Sequence, residues 1–411
     1  MITEAELEKY IRPIIERQQA INNYVIGVIA KRINEIGQML PSDLHKLDSL
    51  YRSGSDIQKI NAEIARLTGL QVKDIKSIIK QVALYDYIDA KSFYDYRHKP
   101  FIPFKDNKQL QTFVFAMANQ TAMEYKNISK AQGFMTRDKK TRKLKMTSIA
   151  KTYQNAIDTA IQATTQGTID YNTAMRNTIK ELADSGLRRV VYTTSDGRVH
   201  TQRMDTAVRR NILDGVRAMN QGMQDIIGNQ FGADGKEMSV HLNPAPDHEY
   251  LQGRIYTNEN FEKMQSGESF EDVDGKQFEP IERAIGTLNC RHFMYSVVIG
   301  VTKPNYTKKQ LQEIIQKNHQ GYTMPNGKHL TMYDCTQYQR QLETKVRYAK
   351  DGQIAARQAG NTSLAQYYQA RVDKYTKQYE AFSKSCGLSE KRVKMSVSGY
   401  KRISMKGAKI A

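Results

Sequence analysis

Three of the chain's eight histidines and one of its three cysteines fall between His241 and His292. The stretch opens His241-Leu-Asn-Pro-Ala-Pro-Asp247-His248, passes Gln252-Gly253-Arg254, and closes Gly286-Thr-Leu-Asn289-Cys290-Arg291-His292. Neutral imidazole and thiolate are the side chains that ligate zinc, and Cys-x-His sets two of them on one short segment. Asp247 and Glu249 stand where they could orient the imidazoles. Six residues separate His241 from His248, which is not zinc-finger spacing. Four readings are open. The spacing favours a polar knot whose groups hydrogen-bond to loop backbone. The alternatives are a structural metal on His241, His248, Cys290 and His292, a catalytic metal on the same residues, and a Cys–His nucleophilic pair. A catalytic metal would require an open coordination position and a base in a cleft. No nucleophile elbow or oxyanion motif accompanies Cys290, and no Walker or dinucleotide fingerprint occurs anywhere in the chain.

The elements that must position this stretch read as mostly helical. Leu7, Ile11, Ile14, Ile15, Ile21, Val25, Val28, Ile29, Ile33 and Ile36 recur at the helical period, with Pro41 as the stop and Ser42 as the next cap. Ser55-Asp-Ile-Gln58 predicts a capping box, Thr68-Gly69 a break, and 72–85 a further helix. The resulting helix pair is read as part of a bundle in preference to a DNA-binding module, because such pairs are common outside DNA binders. Helices are predicted from Lys108 to about Gly133, over 146–168, over 170–185 and from Met204 to about Asn229. A hairpin is predicted around Ser195-Asp196-Gly197. Strands are expected over 238–242 and 293–301, a capping box at Thr307–Gln310, and a second hairpin at Pro325-Asn326-Gly327. An antiparallel helix pair over 332–358 and 361–385 ends the folded part, and Gln252-Gly253, Gly286 and Gly300 are given backbone roles. The fold class is therefore α+β and predominantly helical. The expected regions are an elongated helical N-terminal half (1–105 and 106–187), a small mixed centre (188–330), and a helical hairpin with a basic tail (331–411).

Charge points to acidic partners. The net charge is +19 with a pI near 9.5. Residues 136–145 hold Arg137, Lys139, Lys140, Arg142, Lys143 and Lys145 against one Asp, and are read as a solvated loop able to touch phosphate. The tail supplies Lys391, Arg392, Lys394, Lys401 and Arg402 as further phosphate contacts. With few large apolar residues, it is expected to be partly mobile and to add little core. Three cysteines make no disulfide framework and fit a reducing compartment. No apolar run reaches bilayer length, and the N-terminus shows no signal-peptide core.

The motifs also resemble a known family. His248-x-x-x-Gln252-Gly253-Arg254, Gly286-Thr-Leu-Asn289-Cys290-Arg291-His292 and Gly300-Val301 resemble the phage minor capsid protein 2 family, related to MuF-like head morphogenesis proteins. Leu330-Thr-Met-Tyr333, Thr336-Gln337-Tyr-Gln-Arg340, Tyr379-Glu-Ala-Phe382-Ser383 and Arg392 through Tyr400 extend the likeness. The resemblance implies a low-copy virion protein, made in the host cytoplasm, partnered by portal and capsid shell and close to packaged DNA. It supplies no catalytic residues. Some MuF-type relatives carry Cys-x-x-Cys where this chain has Asn243-Pro-Ala-Pro246, a departure that weighs against a tight zinc site. Cofactors are accordingly expected to be none, with structural zinc as the exception. The competing functions are a metal-dependent nuclease or hydrolase built on the His/Cys cluster, and a non-specific DNA-binding protein.

Overall fold

A computed structural model describes residues 4–38, 54–96, 98–138, 141, 143–166, 170–194, 198–287, 290 and 292–405. The first helix, α1 (Glu4–Gly37), is the spine of the molecule. Its apolar stripe serves two cores in succession. Leu7, Ile11 and Ile14 pack with α2 (Ser55–Asp89), α4 (Lys108–Lys130) and α7 (Met204–Gln230). From Ile21 to Ile36 the same stripe packs with α5 (Ile149–Gln166), α6 (Tyr171–Ser185) and the facing ends of α10 (Met332–Gln358) and α11 (Thr362–Ser385). The short α3 (Lys91–Tyr96) follows α2. The fold is thus α+β and predominantly helical, as the apolar periods indicate. The predicted stop at Pro41 and the cap at Ser42 lie outside the described residues.

Three local expectations are corrected. The chain does not break at Thr68-Gly69, because α2 runs unbroken from Ser55 to Asp89. A Cβ at position 69 would meet nothing within 4 Å, and a helical glycine costs only about 1 kcal/mol. The buried stripe Ile60, Leu67, Ile75, Ile79 and Val82 keeps phase through it and outweighs that cost. The expected helix pair is therefore a single helix. Ser55 makes no capping box either: the N-cap is Gly54 at φ 64°, with no side-chain cap bond. In its place Arg32 Nε donates to Asp56 at 2.9 Å and the Tyr153 hydroxyl donates at 2.7 Å, tying the first turn of α2 to α1 and α5.

The two ends of the basic run at 136–145 are strands and not only loop. β1 (Gly133–Arg137) pairs antiparallel with β2 (Leu144–Ser148), and the sheet order is β2-β1-β3-β4 with β3 (Arg188–Thr193) and β4 (Val199–Arg203). The β3–β4 hairpin forms as its composition predicts, while its Ser195-Asp196-Gly197 turn lies outside the described residues.

The tail is a strap. Met395 and Val397 are buried, and a 3₁₀ turn spans Arg392–Met395. Gln19 donates to the Ser396 carbonyl at 3.0 Å and accepts from the Ser398 amide at 3.0 Å. Asn23 donates to the Ser398 carbonyl at 2.9 Å, and Gln353 to that of Lys401 at 2.7 Å. Backbone carbonyls and amides do most of the anchoring, so the scarcity of large apolar residues was misleading.

A second sheet organises the centre, in the order β6-β5-β9: β5 (Gly235–Met238) is flanked antiparallel by β6 (Ile255–Thr257) and β9 (Met294–Val297). Helix α8 (Asn258–Ser266) and the small β7–β8 pair (Phe270–Glu271 with Gln277–Phe278) close a separate core of Met238, Leu251, Tyr256, Met264, Phe270, Cys290 and Met294. Helix α9 (Lys308–Gln320) starts at the predicted capping box, with Thr307 accepting from the Gln310 amide. The β10–β11 hairpin (Tyr322–Thr323 with His329–Leu330) then leads into α10.

Candidate metal centre

The side chains that could do chemistry are held by the turn between β5 and β6 and by the segment entering β9. The turn carries His248, whose amide donates to the Ala245 carbonyl at 3.1 Å and whose carbonyl accepts from Leu251 at 3.2 Å. Gly253 closes the turn at φ 70°, and its amide donates to the Met238 carbonyl at 2.9 Å. The left-handed backbone favours glycine, and a Cβ there would stand 2.4 Å from a Leu311 methyl, which would have to move. Gly286, at φ 85°, turns the second segment, and its carbonyl accepts from Arg217 of α7. The Cys290 amide then donates to Thr287 at 2.8 Å. The pairing of β5 with β9 continues past both strands through Ser239 and Phe293. Leu288, Asn289 and Arg291 lie outside the described residues.

This scaffold brings His248, Cys290 and His292 together, with one ligand atom from each lying within 4.8 Å of the others. The Cys290 sulfur is 3.3 Å from His248 Nδ1 and 3.4 Å from His292 Nδ1. All three side chains are buried. His241, the fourth residue expected here, lies outside that group, and its ring packs tilted against His292 with centroids 4.5 Å apart.

The far side of each ring is occupied. His248 Nε2 is 2.8 Å from the Arg283 carbonyl, and His292 Nε2 is 3.3 Å from Gln252 Oε1. Gln252 is held at both ends of its amide: Oε1 accepts from the His241 amide at 2.9 Å and Nε2 donates to the His241 carbonyl at 3.3 Å. Its backbone had been singled out from sequence, but its side chain had not. Asp247 orients His248 indirectly, by gripping Arg283 with two hydrogen bonds of 2.8 and 2.9 Å. Glu249 does not serve the cluster. It accepts from Asn318 and pairs with His319, anchoring α9.

The electrostatics follow from burial and from these contacts. Burial pulls the His248 imidazole down, but the Cys290 sulfur, the Arg283 carbonyl and Asp247 together leave it above its ordinary value. Burial pushes the Cys290 thiol up, and the His248 contact with the amides of Gly286 and His292 more than reverses this. Burial, with smaller contributions from the nearby His241, His248, Arg283 and Arg217, pushes His292 down to about 2, which keeps that imidazole neutral. A sulfur boxed by two imidazoles and 3% exposed is suited to sharing a cation. Cys290 and His292 border a cleft of about 700 Å³, which His241, Arg283, Arg340, Glu343 and Lys391 also line.

The expected phosphate contacts fall in two places. Arg137, Lys143 and Lys145 are exposed on the β1–β2 arm, while Lys139, Lys140 and Arg142 lie outside the described residues. Lys391, Arg392, Lys394, Lys401 and Arg402 lie on the strap. Several of these cations already face carboxylates: Lys145 meets Asp138 at 2.7 Å, Arg392 meets Glu380 at 3.0 Å, and Arg402 meets Asp373 at 3.0 Å.

Among known proteins, the family model described as phage minor capsid protein 2 matches residues 2–384. No curated protein and no solved structure matches the chain.

Proposed function

The chain belongs to the phage minor capsid protein 2 family, and from that premise we propose that it is a low-copy head protein seated near the portal vertex, acting in head assembly and in DNA packaging or delivery. Membership makes it a structural protein of the phage particle. No described helix is long and apolar enough to cross a membrane. The observation that carries the proposal is the family match over nearly the whole chain. The net charge of +19 supports a place beside packaged DNA, with contact to phosphates that ignores sequence.

The test is the protein content of purified procapsids and virions, with residue-level cross-linking to the portal. A few copies per particle, cross-linked mainly to portal subunits, is the expected result. Absence from particles overturns the head-protein reading. Presence with cross-links confined to the shell overturns the portal placement. For DNA, affinity for unrelated duplexes should fall steeply with salt, and a marked preference for one duplex would reject the sequence-blind contact.

A further inference from the structure

Three electron-pair donors converge on one buried point, and only one proton is available among them. A carbonyl oxygen can only accept, so His248 Nε2, 2.8 Å from the Arg283 carbonyl, must carry its hydrogen. Gln252 Oε1, fixed as an acceptor by the His241 amide, imposes the same tautomer on His292. Both Nδ1 atoms face the Cys290 sulfur, at 3.3 and 3.4 Å. The one proton, whether on sulfur or on His248 Nδ1, bridges the His248 contact. His292 Nδ1 is left facing sulfur lone pairs, in a site where unmatched polar atoms are expensive. A cation at the centre satisfies all three donors at once.

The outer contacts are those that metal-ligating histidines make. Such rings almost always give their second N–H to a carbonyl or carboxylate, which fixes the tautomer and the ring plane. Here a backbone carbonyl held by the Arg283–Asp247 pair does this for His248, and the Gln252 amide does it for His292. The dimensions also agree. Zinc–sulfur and zinc–nitrogen bonds of about 2.3 and 2.0–2.1 Å at tetrahedral angles set sulfur and nitrogen about 3.6 Å apart. The two sulfur–nitrogen distances lie within a few tenths of an ångström of that value. One thiolate and two imidazoles, with no oxygen ligand, select zinc over calcium or magnesium.

We propose that His248 Nδ1, the Cys290 thiolate and His292 Nδ1 hold one zinc ion, its fourth position turned toward the cleft beside His241. Binding displaces the thiol proton to solvent. The ion joins the turn after β5 to the segment entering β9, and so staples the central core to which Cys290 belongs. This assignment is independent of where the protein sits in the head.

The experiment uses the full chain, purified without metal-affinity chromatography. Elemental analysis should find about one zinc per chain. Cobalt(II) added to chelator-stripped wild type should give the visible bands of a tetrahedral site and a near-ultraviolet thiolate-to-metal band. Cys290→Ser should lose that band and lower zinc affinity more than tenfold. His248→Ala and His292→Ala should weaken binding similarly, and His241→Ala should retain zinc. The cobalt spectrum of wild type needs no variant to fold. Absence of the thiolate band in stripped wild type overturns the proposal. So does zinc retention by a folded Cys290→Ser, or loss of zinc from a folded His241→Ala. Stoichiometric copper or iron in the purified protein in place of zinc overturns the choice of ion.

Discussion

Replacing Asp351 with alanine should cost about 3–5 kcal/mol of unfolding free energy, the range for breaking a buried ion pair from one side. Asp351 sits on α10, and its carboxylate accepts from Arg203 Nη2 at 2.7 Å, where β4 runs into α7. Arg203 also donates to Asp205 at 3.1 Å, and Arg347 of α10 lies 3.4 Å from that second carboxylate. Two guanidiniums face two carboxyl groups, three of the four at most 6% exposed, and burial raises the Asp351 carboxyl against the pull of Arg203. The alanine leaves two guanidiniums sharing one carboxylate, away from water. Geometry supports a cost at the high end, because Arg203 Nη1 has no hydrogen-bond partner and would have lost one of its two carboxylates. The Tyr348 ring, 4.5 Å from the Arg203 guanidinium, offers only partial compensation. Urea unfolding followed by far-UV circular dichroism measures the loss, with the slope unchanged if the native fold persists. The control is Arg203→Met combined with Asp351→Leu, which leaves Asp205 and Arg347 as a neutral pair. It should be less destabilised than the single variant, since apolar replacement of a buried pair is often neutral or better. A single-variant cost below about 1 kcal/mol, the range of exposed pairs, would show that the network is hydrated and refute the reasoning.

Truncation after Gly387 should lower the unfolding midpoint, because Met395 and Val397 lose their burial, each worth about 1.5–3 kcal/mol when complete, and Gln19, Asn23 and Gln353 lose backbone partners; co-melting of truncated and full-length chains would mean the strap carries no stability. Arg402→Ala on the same strap should change stability by only about 0–1 kcal/mol, its pair with Asp373 being 71% exposed on the arginine side; a larger loss in the same urea titration would contradict this. At Asp56 burial raises the carboxyl pKa, but the hydrogen bonds from Arg32 and Tyr153 and the nearby cations bring it below its ordinary value. Its stabilisation is then fully present above the unfolded carboxylate value of about 3.9 and is lost as pH falls further, so the gap between wild type and Asp56→Asn should be constant near neutrality and close in acid. Burial and the neighbouring Cys335 push the Cys386 thiol up to about 12, so native protein should resist iodoacetamide at Cys386 at about pH 8 while urea-unfolded protein reacts, and mass spectrometry of the labelled peptides decides.

What the sequence disclosed and what it hid divide along physical lines. Helices with an unbroken apolar stripe were legible because the period is a property of each segment alone, and α10 and α11 fall almost where their spacing places them. Thr307 and Gln310 were legible because a capping box is a contact across three residues. The β1–β2 arm was missed because its strands, Gly133–Arg137 and Leu144–Ser148, are short and their pairing is defined only by the partner strand. The strap was missed for a related reason: it is fastened by backbone groups to Gln19, Asn23 and Gln353, and backbone carries no signature in a string of letters. At the candidate centre the clustering of rare ligand types identified His248, Cys290 and His292 correctly as neighbours. It placed His241 among them by proximity in sequence, whereas the chain uses the backbone of that residue to clamp Gln252, and Gln252 in turn fixes which nitrogen of His292 faces the sulfur. Ligand type could be read one residue at a time. Tautomer could not, because it depends on the partner of the opposite nitrogen, and that partner is set only once β5, β6 and β9 have assembled.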